Sequence, residues 1–349
     1  MKYKINESLM AFDVKKVGVI LNVTDNDLIT VEEKEDVVLE IVKAFLKPRT
    51  YEEAYEFVSS KLYVDRDDFN DCFEFMILNN ILKEFKEIDS VLSDYQQKKY
   101  ARQVSSFHSL KGIEKIDAES MQKKICDSTV CLIGVGGTGS YLALAMAMIG
   151  VENLILIDFD RVELSNTARQ ILYDESDVGK YKIDVAKEKI QKYNKNIKVE
   201  TYNIHIESAD DLEFLNQYNM NLLILCADTP RGEIQYIADE VAHRNNVPWF
   251  SYGPYGHSQI MIGPMIIPGE TRSYEKIFLH NVSAFTDRVH EINEKFVASI
   301  SDPYNGFASQ FAAIEVFKYL SGVRKPTIIN RKYYINTDNW TMEYEEYDE

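Results

Sequence analysis

The sequence predicts an α/β protein in which a small α+β domain precedes a mostly parallel sheet with an antiparallel extension. Three observations carry that expectation. Between residues 130 and 253, short apolar runs (VCLIGV, LILID, NLLILC, PWFSYG) alternate with segments of helical periodicity, as in strands joined by crossover helices. Beyond Gly253 the pattern changes to glycine- and proline-punctuated stretches with alternating apolar residues, which suit antiparallel strands added to that sheet. Ahead of both, a hairpin-like segment and three short helical segments stand as a unit of their own, so the division is drawn at residues 1–97 and 98–349.

The chain has 349 residues, 45% hydrophobic and 27% charged, enough for a sizeable core. Its formal charge of −17 speaks against a general binder of nucleic acid or of an anionic membrane, since both need a basic face. Cys72, Cys126, Cys131 and Cys226 include no CxxC pair, so a reducing compartment is expected and a cysteine-built zinc site is not. The start, MKYKINESLM, lacks the apolar run of a signal peptide, and no stretch approaches the roughly 18–20 apolar residues of a membrane span. A soluble, cytoplasmic protein is expected.

In order along the chain, residues 17–33 carry strand formers around Thr24-Asp25-Asn26-Asp27, a hairpin pattern. Val37, Val38, Ile41, Val42 and Phe45 share a helical face over 36–45, and Pro48 ends it. Thr50 with Glu53 forms a capping box for a second helix over 51–62. Phe69, Phe73, Met76 and Ile77 line a third over 67–80, and ILKEF follows as a strand. A hairpin with three helices is winged-helix-like. Its third helix, DRDDFNDCFEF, is acidic where a groove-reading helix should be basic, so DNA binding is disfavoured. The hairpin edge can instead accept an extended peptide by strand addition, with a plain packing domain as the alternative. Residues 87–100 read as a polar linker entering a helix, which leads into KKYARQVSSF.

VCLIGVGGTGS places Gly134, Gly136, Gly137 and Gly139 between a strand and a helix, where a tight turn brings backbone N–H groups against phosphate. Gly134, Gly136 and Gly139 fit GxGxxG, and Asp158 follows about 20 residues on. That is the Rossmann-like dinucleotide fingerprint, which makes an NAD-dependent oxidoreductase the natural rival. What comes next departs from it. A second carboxylate, Asp160, is followed by Asn166, Arg169 and Gln170 in DFDRVELSNTARQ, and by Lys182 after VGK. Two fixed cations beside a phosphate loop suit a triphosphate better than the two-phosphate bridge of NAD, because they can offset charge on the β- and γ-phosphates. Either cation alone would read as a solvated surface residue. Asp228 ends NLLILCAD at the carboxyl end of a strand, where sites in open parallel sheets lie; it could equally cap the helix of 233–245. Between these motifs, helices are expected over 183–193, 209–218 and 233–245, with strands in KVETYNIHI, NLLILC and PWFSYG.

GxGGxG, DxDxVxxSNxxRQ and the lysine after VGK together resemble the ThiF family, the adenylating enzymes related to ubiquitin-activating enzymes. One departure is Thr167, where leucine is usual. The resemblance spans residues 100–335 and implies that Asp158 holds the ribose hydroxyls of ATP and that Asn166, Arg169 and Lys182 contact its phosphates. It implies further that the glycines, Asp160 and Gln170 belong to the nucleotide site, and that Asp228 coordinates Mg²⁺ beside the α-phosphate. Arg102, in KYARQ, matches an arginine that in this family reaches into the partner subunit's ATP site, which implies a homodimer.

The last third carries a polar helical or loop region over 273–302, an amphipathic helix over 307–320 and strand-like alternation in KYYINTDNWTMEYEEY. Many family members hold zinc with two CxxC pairs. Here Ser273 and Lys276 stand at the first and the tail EYEEYDE has none, so no zinc is expected. No cysteine lies between 233 and 349, which excludes a thioester step from that region, and Cys226 reads as a buried strand residue. His257, in YGPYGHSQ, is the histidine to watch near the substrate, although a surface-loop histidine is the plainer reading. Within the family, the length, the domain order and KYARQ are most similar to the peptide-adenylating enzymes of microcin C biosynthesis and their relatives. That resemblance implies ATP-dependent adenylation of a carboxylate on a short ribosomal peptide, bound by residues 1–97, in a peptide-antibiotic pathway. Nucleotidyl transfer, cyclisation and dehydration remain open as outcomes. Activation of a ubiquitin-like or sulfur-carrier protein is the alternative within the fold, and a non-catalytic nucleotide-binding partner protein the alternative outside catalysis.

Overall fold

A computed structural model describes every residue of the chain except 7–8, 15–17, 24–26, 32–35, 86–88, 111–112, 114, 256–257, 283–299 and 348–349. The expected hairpin turn, His257 and most of the 273–302 region lie wholly or largely outside the described residues. Two compact units are formed, Met1–Gln122 and Lys123–Glu349.

In the first unit, β1 (Lys2–Ile5), β2 (Met10–Val14), β3 (Gly18–Val23) and β4 (Asp27–Val31) precede α1 (Val37–Ala44), α2 (Tyr51–Ser59) and α3 (Arg66–Leu78). Then come β5 (Leu82–Phe85), α4 (Asp94–Lys99), α5 (Ala101–His108) and α6 (Lys115–Asp127), the last running across the boundary. The three helices form where their apolar spacing and caps predict. Thr50 Oγ1 accepts from the Glu53 N–H at 3.2 Å, and Glu53 Oε2 accepts from the Thr50 N–H at 2.7 Å, closing the capping box. Ile41, Phe45, Phe69, Phe73 and Met76 pack beneath Val19 and Leu21 of β3.

Two features of this unit go beyond the sequence expectation. The hairpin is a three-stranded meander, because β2 pairs with β3 from Met10 opposite Asn22 to Val14 opposite Gly18. The expected strand ILKEF forms as β5, and it pairs antiparallel with β1, Lys2 opposite Phe85. Both pairings depend on backbone partners that the residue pattern does not specify, and β1 and β5 are separated by β2 to β4 and α1 to α3.

The second unit is built on β6 (Thr129–Ile133), α7 (Gly137–Ile149), β7 (Asn153–Ile157), α8 (Lys182–Tyr193), β8 (Lys198–Tyr202), β9 (Leu222–Leu225), α9 (Ile234–Asn245) and β10 (Trp249–Tyr255). It continues through β11 (Gln259–Ile262), α10 (Tyr274–Val282), α11 (Asp302–Ser321), β12 (Arg331–Asn336) and β13 (Thr341–Glu346). The eight strands lie in the order β13-β12-β11-β10-β9-β6-β7-β8. Strands β10, β9, β6, β7 and β8 run parallel, and β11 to β13 extend the sheet antiparallel, as the sequence predicts. Cys131, Ile133, Ile155, Ile157, Leu223 and Leu225 pack on one face against α9. Their neighbours Val130, Leu132, Leu154, Leu156 and Ile224 alternate to the other face, so these strands are apolar on both sides.

Residues 209–218, expected as an α-helix, form a 3₁₀ helix over Ala209–Gln217. Ala209, Leu212 and Leu215, three apart, are the buried positions, and a three-residue turn puts all three on one face. The last helix begins at Asp302 rather than 307. Pro303 is tolerated in its first turn because the missing N–H has no intrahelical partner there.

Candidate active site

The site forms where the chain leaves the central strand. Gly134 turns at a φ of +93°, and a Cβ there would lie 2.8 Å from the Ala227 nitrogen. Gly139, in the first turn of α7, packs so closely that a Cβ would meet the Gly134 carbonyl oxygen at 2.1 Å. These two glycines let α7 dock on the strand ends. Gly136 is more open, since a Cβ there would meet only Gln170 Nε2 at 3.8 Å, whereas one on Gly137 would collide with the buried Asn305 carboxamide at 2.8 Å. Gly136 is the Ncap of α7 and supplies no side-chain cap, which leaves the helix N-terminus to a ligand.

A cavity of about 380 Å³ opens here, lined in part by residues that follow β6, β7 and β9 at their carboxyl ends and by Tyr252, Gly253 and Pro254 of β10. Strands β7 and β9 flank β6 on opposite sides, the switch point at which open α/β sheets bind ligands. Of the residues singled out in sequence, Gly134, Gly136, Gly137, Asp158, Asp160, Arg169, Gln170, Lys182 and Asp228 line the cavity. Gly139, Asn166 and Arg102 are not among its lining residues.

On the β7 side, Asp158 Oδ2 accepts from the Val135 N–H at 2.8 Å and Oδ1 from the Asp160 N–H at 2.8 Å. Burial pushes its carboxyl above the usual range, against the pull of the Lys182 charge and these two N–H groups. Each oxygen keeps a second lone pair for a ligand hydroxyl. Lys182 opens α8; its side chain is only 7% exposed, and its ammonium donates to Asp160 Oδ2 at 2.7 Å. Asn166 sits in the turn that precedes Arg169. Its Oδ1 accepts from the Glu163 N–H at 3.0 Å, and its carbonyl accepts from the N–H groups of Arg169 (3.0 Å) and Gln170 (2.9 Å). Arg169 Nη1 donates to the Ser165 carbonyl at 2.9 Å. Gln170 is 3% exposed, and its Oε1 has no hydrogen-bond partner. An orphaned polar atom on a cavity wall marks a place that a ligand or water completes.

On the β9 side, Asp228 is 73% exposed. Thr229 Oγ1 donates to its Oδ1 at 3.3 Å, and Arg231 Nε lies 4.0 Å from Oδ2. It does not cap α9, whose Ncap is Glu233, so the capping alternative falls away. A divalent ion that keeps waters and binds through one or two carboxylates plus phosphate oxygens fits an open carboxylate of this kind. Among the described residues, no group of three His, Cys, Asp or Glu side chains could hold a metal by itself. Burial pushes the neighbouring Cys226 thiol up to about 12, which leaves it protonated at neutral pH and poorly suited to nucleophilic attack.

Sequence reasoning missed Asn305, Tyr252 and Thr138, which also line the cavity. Asn305 Nδ2 donates to the Arg169 carbonyl across 136 residues of sequence, and no local signal reports so long a contact. Arg102 is exposed on α5 in the first unit.

The family model for ThiF matches residues 100–349. The chain belongs to the ThiF family. Among its relatives, the molybdopterin-synthase adenylyltransferase of Escherichia coli K12 is 28% identical over 241 residues, covering 67% of this chain and 86% of that protein. The adenylyltransferase and sulfurtransferase UBA4 of Scheffersomyces stipitis is 30% identical over 161 residues, covering 46% of this chain and 33% of that protein. The chain thus spans about a third of the length of several curated relatives it matches. The names of these ThiF-family relatives are those of adenylyltransferases, the class the sequence predicts, and not of oxidoreductases. Among solved structures, E. coli MccB with AMPCPP and MccA aligns with a TM-score of 0.76 at 24% identity, over 99% of this chain and 97% of that one. PaaA aligns with a TM-score of 0.75 at 23% identity, over 98% and 99%. These likenesses establish the fold, including the antiparallel extension. Among the described residues, no helix is long and apolar enough to cross a membrane.

Proposed function

We propose that this ThiF-family chain is an ATP-dependent adenylyltransferase that activates a carboxylate on a short ribosomal peptide. The observation that carries the reading is the cavity itself. An uncapped helix N-terminus, a buried ammonium, a guanidinium and an open carboxylate face one space at the strand ends. A carboxylate oxygen of the peptide would attack the α-phosphorus of ATP, forming an acyl–phosphate bond. The bond from the α-phosphorus to the bridging oxygen breaks, and pyrophosphate leaves with the electron pair. Nucleophile and phosphates are both anionic, so Lys182 and Arg169 would lower the cost of approach, and the first turn of α7 would hold phosphate oxygens. The Asp228 carboxylate would hold the Mg²⁺ whose charge offsets that of the phosphates. No general base is needed, because the nucleophile is already ionised.

The first unit would recognise the peptide, through strand addition at the meander or through its helices. Arg102 would complete the ATP site of a second copy, so the working form would be a homodimer. Two inactive variants, Arg102→Ala and Lys182→Ala, should then recover partial activity on mixing, and no recovery would count against the shared site. The likeness in fold to MccB over 99% of the chain supports a peptide substrate in an antibiotic pathway. The match to molybdopterin-synthase adenylyltransferase over 86% of that protein favours a second reading, activation of a sulfur-carrier or ubiquitin-like protein. ATP–pyrophosphate exchange separates them. Exchange that requires a short peptide encoded nearby supports the first, exchange that requires a carrier protein ending in a free carboxylate supports the second, and no exchange with either sinks the enzymatic reading.

A further inference from the structure

On the reading that the cavity takes ATP, we infer that Asn305 is a positioning residue that holds Arg169 and the first turn of α7 in register with the triphosphate. Asn305 lies near the start of α11, is 2% exposed, and lines the cavity. Its Nδ2 donates to the Arg169 carbonyl at 3.2 Å. The same carboxamide fills the space beside Gly137, where a Cβ would approach Nδ2 to 2.8 Å and Oδ1 to 3.1 Å. One side chain therefore touches both the helix end that faces the cavity and the turn that presents the guanidinium.

The rest of that face of α11 serves the same junction. Asp302 accepts a hydrogen bond from Tyr141 of α7. Ser309 Oγ lies 3.0 Å from the Thr138 carbonyl and 2.7 Å from the Asn305 carbonyl. The Tyr252 hydroxyl lies 3.1 Å from the Thr138 carbonyl and 3.3 Å from Ser309 Oγ, bringing β10 into the network. Residues 302, 305 and 309 share one helical face, so α11 seats on α7 through polar contacts placed at its N-terminal half. The Arg169 guanidinium donates to the Ser165 carbonyl and the Arg169 backbone N–H to the Asn166 carbonyl, and Asn305 ties that turn to the far side of the cavity. Loss of the tether frees a cation that must be preorganised to act on the phosphates.

A double-mutant cycle tests this. Calorimetric titration with Mg·ATP, without peptide, is run on wild type, Asn305→Ala, Arg169→Ala and the double variant, alongside thermal melts. Asn305→Ala should bind about tenfold more weakly, while in the Arg169→Ala background the same change should cost less than about twofold. Asn305→Leu, of similar size, uncharged and without the donor, is measured in the same cycle and keeps the test decisive should the alanine variant not fold. Affinity equal to wild type in the folded variant, or a loss of equal size in both backgrounds, overturns the inference while leaving the ATP site intact. Wild-type protein that binds no ATP overturns the functional reading and this inference with it.

Discussion

Asp158 and Asp228 follow β7 and β9, the two strands that flank β6, and meet opposite surroundings. Both oxygens of Asp158 already accept backbone N–H groups, and burial raises its carboxyl. Asp228 is largely exposed, and its partners among the described residues are the neighbouring Thr229 hydroxyl and a distant Arg231. The β7 rim is thus built in advance from local bonds, Lys182 to Asp160 included, whereas the β9 rim presents a carboxylate with coordination to spare. A group held by one N–H on each oxygen can orient a ligand through its remaining lone pairs; an open one can take a cation.

Four measurements would break or sharpen that contrast, beginning with the largest expected effect. Lys182→Ala removes the buried cation of the β7 rim, and pyrophosphate exchange should fall by about 100-fold or more. A loss under about tenfold would deny that rim its share in catalysis. Asp228→Asn should lose about 100-fold in exchange while the melting temperature stays within about 2 °C of wild type, as suits an exposed group. Retained exchange would remove Asp228 from the mechanism. Gly139→Ala should destabilise the fold by roughly 1–3 kcal/mol in denaturant titration, since a Cβ there collides with backbone. Gly136→Ala, with room for its methyl group, should stay within about 0.5 kcal/mol of wild type and weaken ATP binding instead.

The smallest effect concerns pH. With its folded-state value raised above the ordinary 3.8, Asp158 binds its proton more readily in the nucleotide-free folded protein than in the unfolded chain. Its stabilising contribution is therefore full below the unfolded value and is lost as pH rises through the folded value. Compared with Asp158→Asn, whose amide does not titrate, wild type should gain in melting temperature as pH is lowered from 7 towards 4. The opposite slope would mean that Lys182 and the two N–H groups outweigh burial.

Local chemistry made much of this molecule legible in advance. The Thr50–Glu53 box, the apolar faces of α1 to α3 and the glycine loop are all written within a few residues, because caps, helical spacing and turns act over that range. The charged set from Asp158 to Lys182 is nearly as local and was readable for the same reason. The 3₁₀ geometry of Ala209–Gln217 was not, since buried positions three apart fit the first turns of either helix.

Sequence alone determined the alternation of strand and helix through the parallel sheet, the change to antiparallel strands and most of the charged residues that line the cavity. Tertiary structure decided that β1 closes on β5 and that Asn305 reaches Arg169 from the far side of the cavity. Those outcomes join groups tens to more than a hundred residues apart. Such contacts follow from how buried faces pack and where backbone partners find one another, not from the spacing of residues along the chain.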